Sequence, residues 1–369
     1  MIVALVNQAP ISSGVGRCAF ETHRRMAEHG GSIDHLYLHY GQREIQLINN
    51  TGSTSIARLR RIPEDKYVFY YRCQSRIPRY DIYHLANQNL SFLKLKPKVV
   101  TCYDLIQYLY PVTPFHRLHA KITHSGLKDA SKIITISEFT KLQIVEYLRC
   151  QEDKITVIYE GIDHALYKPV SEKDNSILER YGIPRNHKLI LYVGSEQPRK
   201  NLPVLIKALH KLKTNIKDVK LVKVGEAGAG GERGVISRLI RQLNLEADVI
   251  FTGRVSEEDL PKLYNLVDVY VSPTLYEGGF ALPVLEAMAC GCPAITSNIP
   301  PLVETVSDGG ILVDPKDING LAASMYEVLT NNSLRQDMIS KGIKRASIFS
   351  WDKAATETLK VYEEVGGEL

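Results

Sequence analysis

The hydrophobic positions of the chain fall into short continuous runs that alternate with stretches of helical period. Runs typical of buried strands are MIVALV, IDHLYLHY, YVFYYR, PKVVTCY, SKIITIS and KITVIY, and then HKLILYVG, VKLVKVG, ADVIFTG, VDVYVSP, CPAITS and ILVD. Apolar residues recur with helical spacing in 15–29, 138–148, 202–212 and 234–243. Because continuous apolar strands alternate with helices, the pattern predicts parallel sheets with helices on both faces.

The alternation of strands and helices is interrupted once, at residues 161–187, which carry charges and few strand formers. A chain of 369 residues has the length of about two domains. We therefore predict an α/β protein with two doubly wound Rossmann-like domains, 1–165 and 166–347, that face a cleft. The last stretch, 348–369, is predicted to be an amphipathic helix.

The stretch YEGGFALPVLEAMACGCPAITS, residues 276–297, carries the strongest chemical signal. It sets Glu277 and Glu286 around a glycine-rich turn that leads through Pro283 into a helix. Proline suits a first helical turn, and the free N–H groups there favour an anion. A carboxylate accepts hydrogen bonds from two neighbouring hydroxyls, such as a ribose or hexose diol. A ligand with a diphosphate next to sugar hydroxyls fits both features, and a nucleotide sugar is such a ligand. An ordinary strand–loop–helix unit with surface glutamates is the alternative.

A second candidate site lies in LILYVGSEQPRKNLPVLIKAL. Arg199 and Lys200 follow its buried strand, and Asn201 is predicted to cap the next helix, with Pro203 in the first turn. Ligands of open α/β sheets bind beyond the carboxyl ends of strands. Arg presents a planar fork to phosphate oxygens and Lys a mobile point charge. The pair is therefore placed to stabilise charge on a departing diphosphate, although a solvated surface pair is the alternative.

Both stretches resemble the donor-binding signature of retaining glycosyltransferases of family 4, which have the GT-B fold. The second stretch matches the family pattern G-x-x-x-P-R-K-N. The first matches E-x7-E followed by LPxLEAMACGxPV, except that its two glutamates are nine residues apart rather than eight. Gly278 and Gly279 stand there in place of the usual single glycine.

The resemblance implies that a sugar is moved, with retention, from a nucleoside diphosphate to a glycan or lipid-linked acceptor, without a metal or a cofactor. The implied catalytic residues are Arg199 and Lys200 at the diphosphate and Glu277 at the sugar hydroxyls, with Glu286 at the ribose. The other implied donor-binding residues are Gly14, Gly16, Arg17, Tyr103, Asp104, Arg254, Gly279, Phe280, Ala281 and Leu282. The resemblance also implies that the terminal helix crosses back onto the N-terminal domain.

The loop before the first predicted helix contains Gly14 and Gly16, followed by Arg17. Glycines let the backbone approach a ligand, and helix-start amides favour phosphate. The same letters spell G-x-G-x-x-A, so an NAD-dependent oxidoreductase is an alternative. Two features disfavour it: the long connection from the first strand, and His39-Tyr40 where an acid would hold the adenine ribose. The loop instead resembles the family's GGxGR turn.

The main departure from the family lies in VVTCYDLIQYLYP, where relatives read VVTxHDLIPLxYP. Tyr103 replaces a histidine that the family places near the transferred sugar, and Asp104 follows it. A phenol is neutral near pH 7 and cannot act as an imidazole base. Two hypotheses follow: Tyr103 suits a donor that differs at C6 of the sugar, or the protein binds sugar nucleotides without transfer. His84, near another strand end, is either structural or faces the site.

The charge of the chain is uneven, with +5 overall, +6 in residues 1–165 and −1 in residues 166–369. The basic N-terminal half favours peripheral contact with an anionic membrane surface or a phosphate-bearing acceptor, and dispersed charge without function is the alternative.

No nucleic-acid motif and no apolar run of membrane-spanning length is present. MIVALVNQAP is typical of a strand rather than a secretory signal, and the six scattered cysteines suit reduced thiols in a cytoplasmic protein without a metal.

Overall fold

The chain divides into two compact α/β units in a computed structural model, which describes residues 1–11, 13–49, 52–59, 65–111, 113–227 and 232–367. The N-terminal unit consists of Met1–Gly161 together with Trp351–Leu369. The C-terminal unit consists of Ile162–Ser350. The end of the chain therefore belongs to the same unit as its beginning.

Strands and helices alternate along most of the described chain, as the hydrophobic pattern predicts. The strands are β1 (Val3–Asn7), β2 (Ile33–His39), β3 (Glu44–Asn49), β4 (Gly52–Arg58), β5 (Ile82–Leu85), β6 (Lys98–Cys102), β7 (Lys132–Thr135), β8 (Ile155–Val157), β9 (Lys188–Val193), β10 (Val219–Val224), β11 (Val249–Gly253), β12 (Val269–Ser272), β13 (Ala294–Ser297) and β14 (Ile311–Val313). The helices are α1 (Gly14–Glu28), α2 (Lys66–Cys73), α3 (Ile106–Leu109), α4 (Pro114–His124), α5 (Glu138–Gln143), α6 (Ser176–Arg180), α7 (Leu202–Leu212), α8 (Glu232–Gln242), α9 (Leu260–Leu266), α10 (Leu282–Ala289), α11 (Pro300–Val306), α12 (Ile318–Thr330), α13 (Asn332–Ala346) and α14 (Trp351–Gly367).

The sheet of the N-terminal unit has, among the described residues, the strand order β4-β3-β2-β1-β5-β6-β7-β8. Strands β2, β1, β5, β6, β7 and β8 pair in parallel, as predicted. The hairpin of β3 and β4 is antiparallel and extends one edge. Sequence analysis missed this hairpin because β4 is polar and almost wholly exposed, so it lacks the apolar run of a buried strand.

The stretch YVFYYR, predicted to be a strand, instead lies in helix α2. Its aromatic residues have a high intrinsic preference for strands. Asp65, however, caps the helix by accepting hydrogen bonds from the backbone N–H groups of Tyr67 and Val68. Phe69 and Cys73, four residues apart, are then buried on one helical face. Tertiary packing has overridden strand propensity here.

Helix α14 packs against helix α1 within the N-terminal unit. Its buried face includes Trp351 and Tyr362. The Tyr362 hydroxyl lies 2.6 Å from Nδ1 of His84 on β5, which ties the last helix to the central part of the sheet. No helix in the described ranges is long and apolar enough to cross a membrane.

The sheet of the C-terminal unit has, in its described part, the order β11-β10-β9-β12-β13-β14, with every pairing parallel. From β9 the chain winds outward through β10 to β11. It then returns to β12 beside β9 and winds the other way through β13 to β14. The order therefore reverses between β9 and β12, and such a switch point in an open α/β sheet leaves a crevice at the strands' carboxyl ends.

Candidate functional site

The switch point of the C-terminal unit brings three of the predicted site residues together. Arg199 and Lys200 follow β9, and Glu277 follows the neighbouring strand β12. The Arg199 guanidinium donates from Nη1 to Glu277 Oε2 at 2.9 Å, and the Lys200 ammonium donates to Oε1 of the same carboxylate. Arg199, Lys200 and Glu277 thus form one ionic cluster, here called the switch-point cluster, although the cations lie 78 and 77 residues from the carboxylate in sequence.

The backbone around the switch-point cluster is held by hydrogen bonds between the two loops. The carbonyl of Arg199 accepts from the Leu275 N–H at 2.7 Å and from the Thr274 hydroxyl at 2.9 Å. Asn201 occupies the N-cap position of α7 as predicted, but its side chain makes no cap hydrogen bond. Its φ of 57° is left-handed, and its amide instead donates to the carbonyls of Pro273 and Pro315 at 2.8 and 2.7 Å. Asn201 therefore joins neighbouring loops.

The charges of the switch-point cluster are partly shielded from solvent. The side chains of Arg199, Lys200 and Glu277 are 26%, 21% and 11% exposed. Burial alone would raise the pKa of Glu277, but the two adjacent cations outweigh it and hold that pKa below its usual value. The cluster thus carries an ionised carboxylate at neutral pH. Burial lowers the pKa of Lys200, and the neighbouring Glu277 carboxylate acts against that shift.

Helix α10 begins beside the switch-point cluster, at the end of the glycine-rich turn that contains Gly279. Pro283 lies in its first turn as predicted, and Ala281 at the N-cap makes no side-chain cap hydrogen bond. Leu282 is the first helical residue. The Phe280 ring packs against Phe349, with centroids 5.1 Å apart, so it also anchors the turn.

Glu286 lies inside α10 and is buried. Its Oε2 accepts a hydrogen bond from the hydroxyl of buried Tyr264 at 3.2 Å. The side chain expected at the ribose is therefore already oriented by a neighbouring phenol. Arg254, by contrast, is exposed just after β11 in the same unit.

The predicted residues Gly14, Gly16 and Arg17 belong to the N-terminal unit, at the start of α1. The Gly16 N–H donates to the Ser13 hydroxyl, so a helix-start amide expected to favour phosphate has an internal partner. A Cβ on Gly16 would lie 2.0 Å from the Pro10 carbonyl oxygen, so close packing of the loop requires this glycine. Six residues separate β1 from α1, which is more than the tight turn of a dinucleotide fingerprint contains.

Tyr103 and Asp104 follow β6 in the N-terminal unit. The Tyr103 N–H donates to Gln88 Oε1, and the Gln88 amide donates to the Asp104 carbonyl. Burial raises the pKa of Tyr103 well above its usual value, with nearby Cys18 and Glu160 adding to the effect. The phenol is therefore neutral at physiological pH.

His84 is a structural histidine. It lies within β5, and its two ring nitrogens contact the Tyr362 hydroxyl at 2.6 Å and the Thr101 hydroxyl at 2.7 Å. Burial lowers the pKa of His84 to about 3. Both nitrogens are occupied, so the ring is a neutral part of the core.

Sequence reasoning missed Glu160, which lines a cavity of about 40 Å³ together with Tyr103 and Cys18. Glu160 is only 7% exposed, and its Oε1 has no hydrogen-bond partner in the described part of the chain. Burial raises its pKa to about 7, although the Cys18 thiol and Arg17 act in the opposite direction. Its position just after a predicted strand, where ligands bind in such sheets, was the available signal.

A second missed group supports the loop that carries Arg199. The carboxylate of Glu196 lies 2.9 Å from the ammonium of Lys223 on β10, and both side chains have no exposed area. Arg233 also donates to Glu196 and lies over the ring of Phe251. A lysine inside the apolar run VKLVKVG was the available signal, since a buried cation requires a buried partner.

The chain is similar in sequence to known glycosyltransferases. Residues 173–345 match the sequence model of glycosyl transferases group 1, and residues 12–166 match that of glycosyltransferase family 4. The chain is 29% identical over 372 residues to an Escherichia coli protein named O-antigen chain mannosyltransferase B, covering 95% of this chain and 96% of that one.

Solved structures show the same fold. Sucrose-phosphate synthase from Thermosynechococcus elongatus superposes with a TM-score of 0.83 at 21% identity, with both chains fully covered. The Anabaena protein HepE, solved with UDP and glucose, has a TM-score of 0.77 at 17% identity, with 99% of this chain and 100% of that one covered. The protein described here belongs to the family 4, group 1 glycosyltransferases and has their GT-B fold of two α/β domains.

Proposed function

We propose that the protein transfers a mannosyl residue, with retention, from a nucleoside diphosphate sugar to a glycan or lipid-linked acceptor. The observation that carries this proposal is the switch-point cluster, which sets two cations and a carboxylate at the carboxyl ends of adjacent parallel strands. The mannosyl group is proposed because the relative aligned over nearly the whole chain is named a mannosyltransferase of the O-antigen chain.

In the proposed reaction, Arg199 and Lys200 bind the diphosphate and stabilise the negative charge that grows as the anomeric C–O bond breaks. Glu277 holds both cations in place beforehand and presents its oxygens to sugar hydroxyls. Because it is ionised, it is a hydrogen-bond acceptor. The start of α10 supplies a further donor to the anion from the Leu282 N–H, since Pro283 has no N–H and the Val284 N–H already donates to the Ala281 carbonyl.

The proton and the bonds balance within the two substrates. The acceptor hydroxyl forms the new bond to the anomeric carbon on the face that the diphosphate leaves, and a phosphate oxygen takes the hydroxyl proton. No side-chain base, metal or cofactor is required in this scheme, because the two side-chain cations provide the charge that the departing phosphate needs. The neutral Tyr103 then contributes position rather than basicity.

The first experiment is a thermal-shift screen with UDP, GDP, ADP and dTDP. The nucleotide that stabilises the protein is then tested with mannose or glucose attached, and the anomeric configuration of the product is read by NMR. We expect one nucleotide to raise the Tm and its mannose form to release the nucleoside diphosphate. The proposal fails when none of the four nucleotides shifts the Tm at saturating concentration.

A second candidate function is the binding of a sugar nucleotide without transfer. It is favoured by Tyr103, a neutral phenol where the family has histidine. Transfer or donor hydrolysis by the wild-type protein with any nucleotide sugar would eliminate this candidate. Competition between donors in the wild type and in Tyr103→His then tests whether Tyr103 selects the sugar, since unchanged preference rejects that role.

A further inference from the structure

Helices α2 and α4 of the N-terminal unit carry large apolar side chains on their exposed surface. On α4 these are Phe115, Leu118 and Ile122, which are 67%, 59% and 52% exposed. Their spacing of three and four residues puts them in one stripe along the helix. On α2 they are Val68 and Tyr71, which are 41% and 48% exposed. The five side chains are here called the apolar face.

The apolar face borders a single groove. All five side chains line it, together with the ring of Phe92, and its volume is about 380 Å³. The wall is almost wholly apolar, although Asp65 and His119 also border it. Asp65 is engaged as the cap of α2, and burial lowers the pKa of His119, which keeps that ring neutral.

Contiguous exposed apolar surface of this kind is uncommon on a monomeric water-soluble protein and marks a contact with another apolar phase. On α4 the opposite side of the helix, with Ala120 and His124, is the side buried in the unit. The apolar stripe of α4 is thus additional to the side that packs on the protein. Folding of the unit accounts for the buried side and leaves the stripe unexplained.

The charge on the same two helices identifies the partner. Helices α2 and α4 contain Lys66, Arg72, Arg117 and Lys121 and no acidic residue within their bounds. All four basic side chains are exposed. A helix face with large apolar residues beside lysine and arginine matches the headgroup region of an anionic bilayer, where apolar side chains enter the acyl layer and cations meet the lipid phosphates.

We propose that the α2–α4 surface docks the protein on an anionic lipid bilayer, with the apolar face among the acyl chains and the groove around a lipid chain. This surface gives a definite location to the membrane contact suggested by the basic N-terminal half. The proposal uses no residue of the switch-point cluster and no step of the proposed transfer. Binding to lipid is therefore measured without any sugar substrate.

The test is sedimentation of the full chain with vesicles of phosphatidylcholine alone and of phosphatidylcholine with about one third phosphatidylglycerol. We expect binding to the anionic vesicles, little binding to the neutral ones, and release by salt. The double variant Arg117→Glu/Lys121→Glu should bind the anionic vesicles at least about 25-fold more weakly, at about fivefold for each lost cation. Lys217→Glu/Lys344→Glu, with both lysines exposed in the C-terminal unit, is the matched control and should bind as the wild type does.

The apolar contribution is tested with Phe115→Ser/Leu118→Ser/Ile122→Ser, which should lose binding to the anionic vesicles. The matched control is the triple serine variant at Val235, Val303 and Tyr326, which are also exposed but lie on three different helices of the C-terminal unit. All the substituted side chains are exposed, so each variant is expected to fold, and circular dichroism checks this.

Three results would overturn the proposal. The first is a wild-type protein that binds neither vesicle, and the second is equal, salt-independent binding to both. The third is a wild-type dimer that the α4 triple variant converts to a monomer, without vesicle binding by either, which would assign the face to a second copy of the chain.

Discussion

Each unit of the protein holds a glutamate beyond a parallel strand, Glu160 buried and Glu277 partly buried, and the two glutamates are in opposite electrostatic states. Glu277 in the C-terminal unit lies between the cations of Arg199 and Lys200. Glu160 in the N-terminal unit has the Cys18 thiol as a donor to its carboxylate and leaves Oε1 without a partner among the described residues. The pKa is lowered in the first case and raised to about 7 in the second.

The difference shows that burial does not determine the charge of a carboxylate without its neighbours. Burial raises the pKa of both groups, and only the adjacent cations reverse the effect at Glu277. Glu277 is therefore an anion at neutral pH that orders the two cationic side chains proposed to bind phosphate. Glu160 changes protonation near neutral pH beside Tyr103, the residue that departs from the family pattern.

The largest expected effect is on catalysis, from Lys200→Met. This change removes one cation from the departing diphosphate and should lower kcat about 10²–10³-fold, a loss of about 2.7–4 kcal/mol of transition-state stabilisation. Lys207→Met on the exposed side of α7 is the matched control and should keep full activity. Steady-state kinetics with the donor identified by thermal shift provide the measurement, and equal kcat in both variants contradicts the assigned role.

Glu277→Gln should destabilise the fold by about 3 kcal/mol at pH 7, because it leaves two partly buried cations without their anion. The folded pKa of Glu277 is depressed, so the pair stabilises the protein above the unfolded pKa of about 4.5. This stabilisation is lost as the pH falls through the folded pKa. Urea unfolding of both proteins should therefore give a difference that shrinks on acidification, and a difference that grows would contradict the pairing.

Glu160→Gln should have the opposite effect on stability and increase the free energy of unfolding at neutral pH. The folded pKa of Glu160 is raised to about 7, so the wild type loses stability as the pH rises from about 4.5 through 7. The amide does not ionise, so relative to the wild type this variant should gain up to about 3 kcal/mol between pH 4.5 and pH 8. The prediction is contradicted if the free energies of unfolding of the two proteins change with pH in the same way.

The smallest expected effect comes from Cys18→Ala, which removes the thiol that donates to the Glu160 carboxylate. Because that hydrogen bond lowers the pKa of Glu160, its loss should move the midpoint of the pH dependence upward by about half a unit. Unfolding measured between pH 5 and pH 8 gives the midpoint. A downward shift would mean that the thiol stabilises the neutral acid instead.

Much of the fold was predictable because its signals are local. Continuous apolar runs marked most of the parallel strands, helical spacing reproduced α7 at Leu202–Leu212, and Pro283 falls in the first turn of α10. The polar strand β4 was not predicted, because an exposed edge strand has no apolar run. The aromatic helix α2 was predicted to be a strand, because strand propensity takes no account of a helix cap.

The candidate site was predicted in its residue types and only partly in its contacts. Arg199, Lys200 and Glu277 stood out through their loop positions, but their mutual ion pairs were not foreseen. The hydrogen bond from the Gly16 N–H to the Ser13 hydroxyl was not predicted. Nor was the bond from the Asn201 side-chain amide to the carbonyl of Pro273 in a neighbouring loop. Each of these contacts depends on a partner that a pattern of loop residues does not identify.

The order of residues along the chain was enough to predict two α/β domains, the family and the loops of the candidate site, because strand–helix alternation and motif spacing are properties of neighbouring residues. The folded structure alone decided which buried charge meets which partner. Glu277 meets its cations because β9 and β12 are adjacent in the sheet, and the Oε1 of Glu160 has no described side chain to meet it. Ionisation depends on distance and burial, and both are set by packing between residues far apart in the chain.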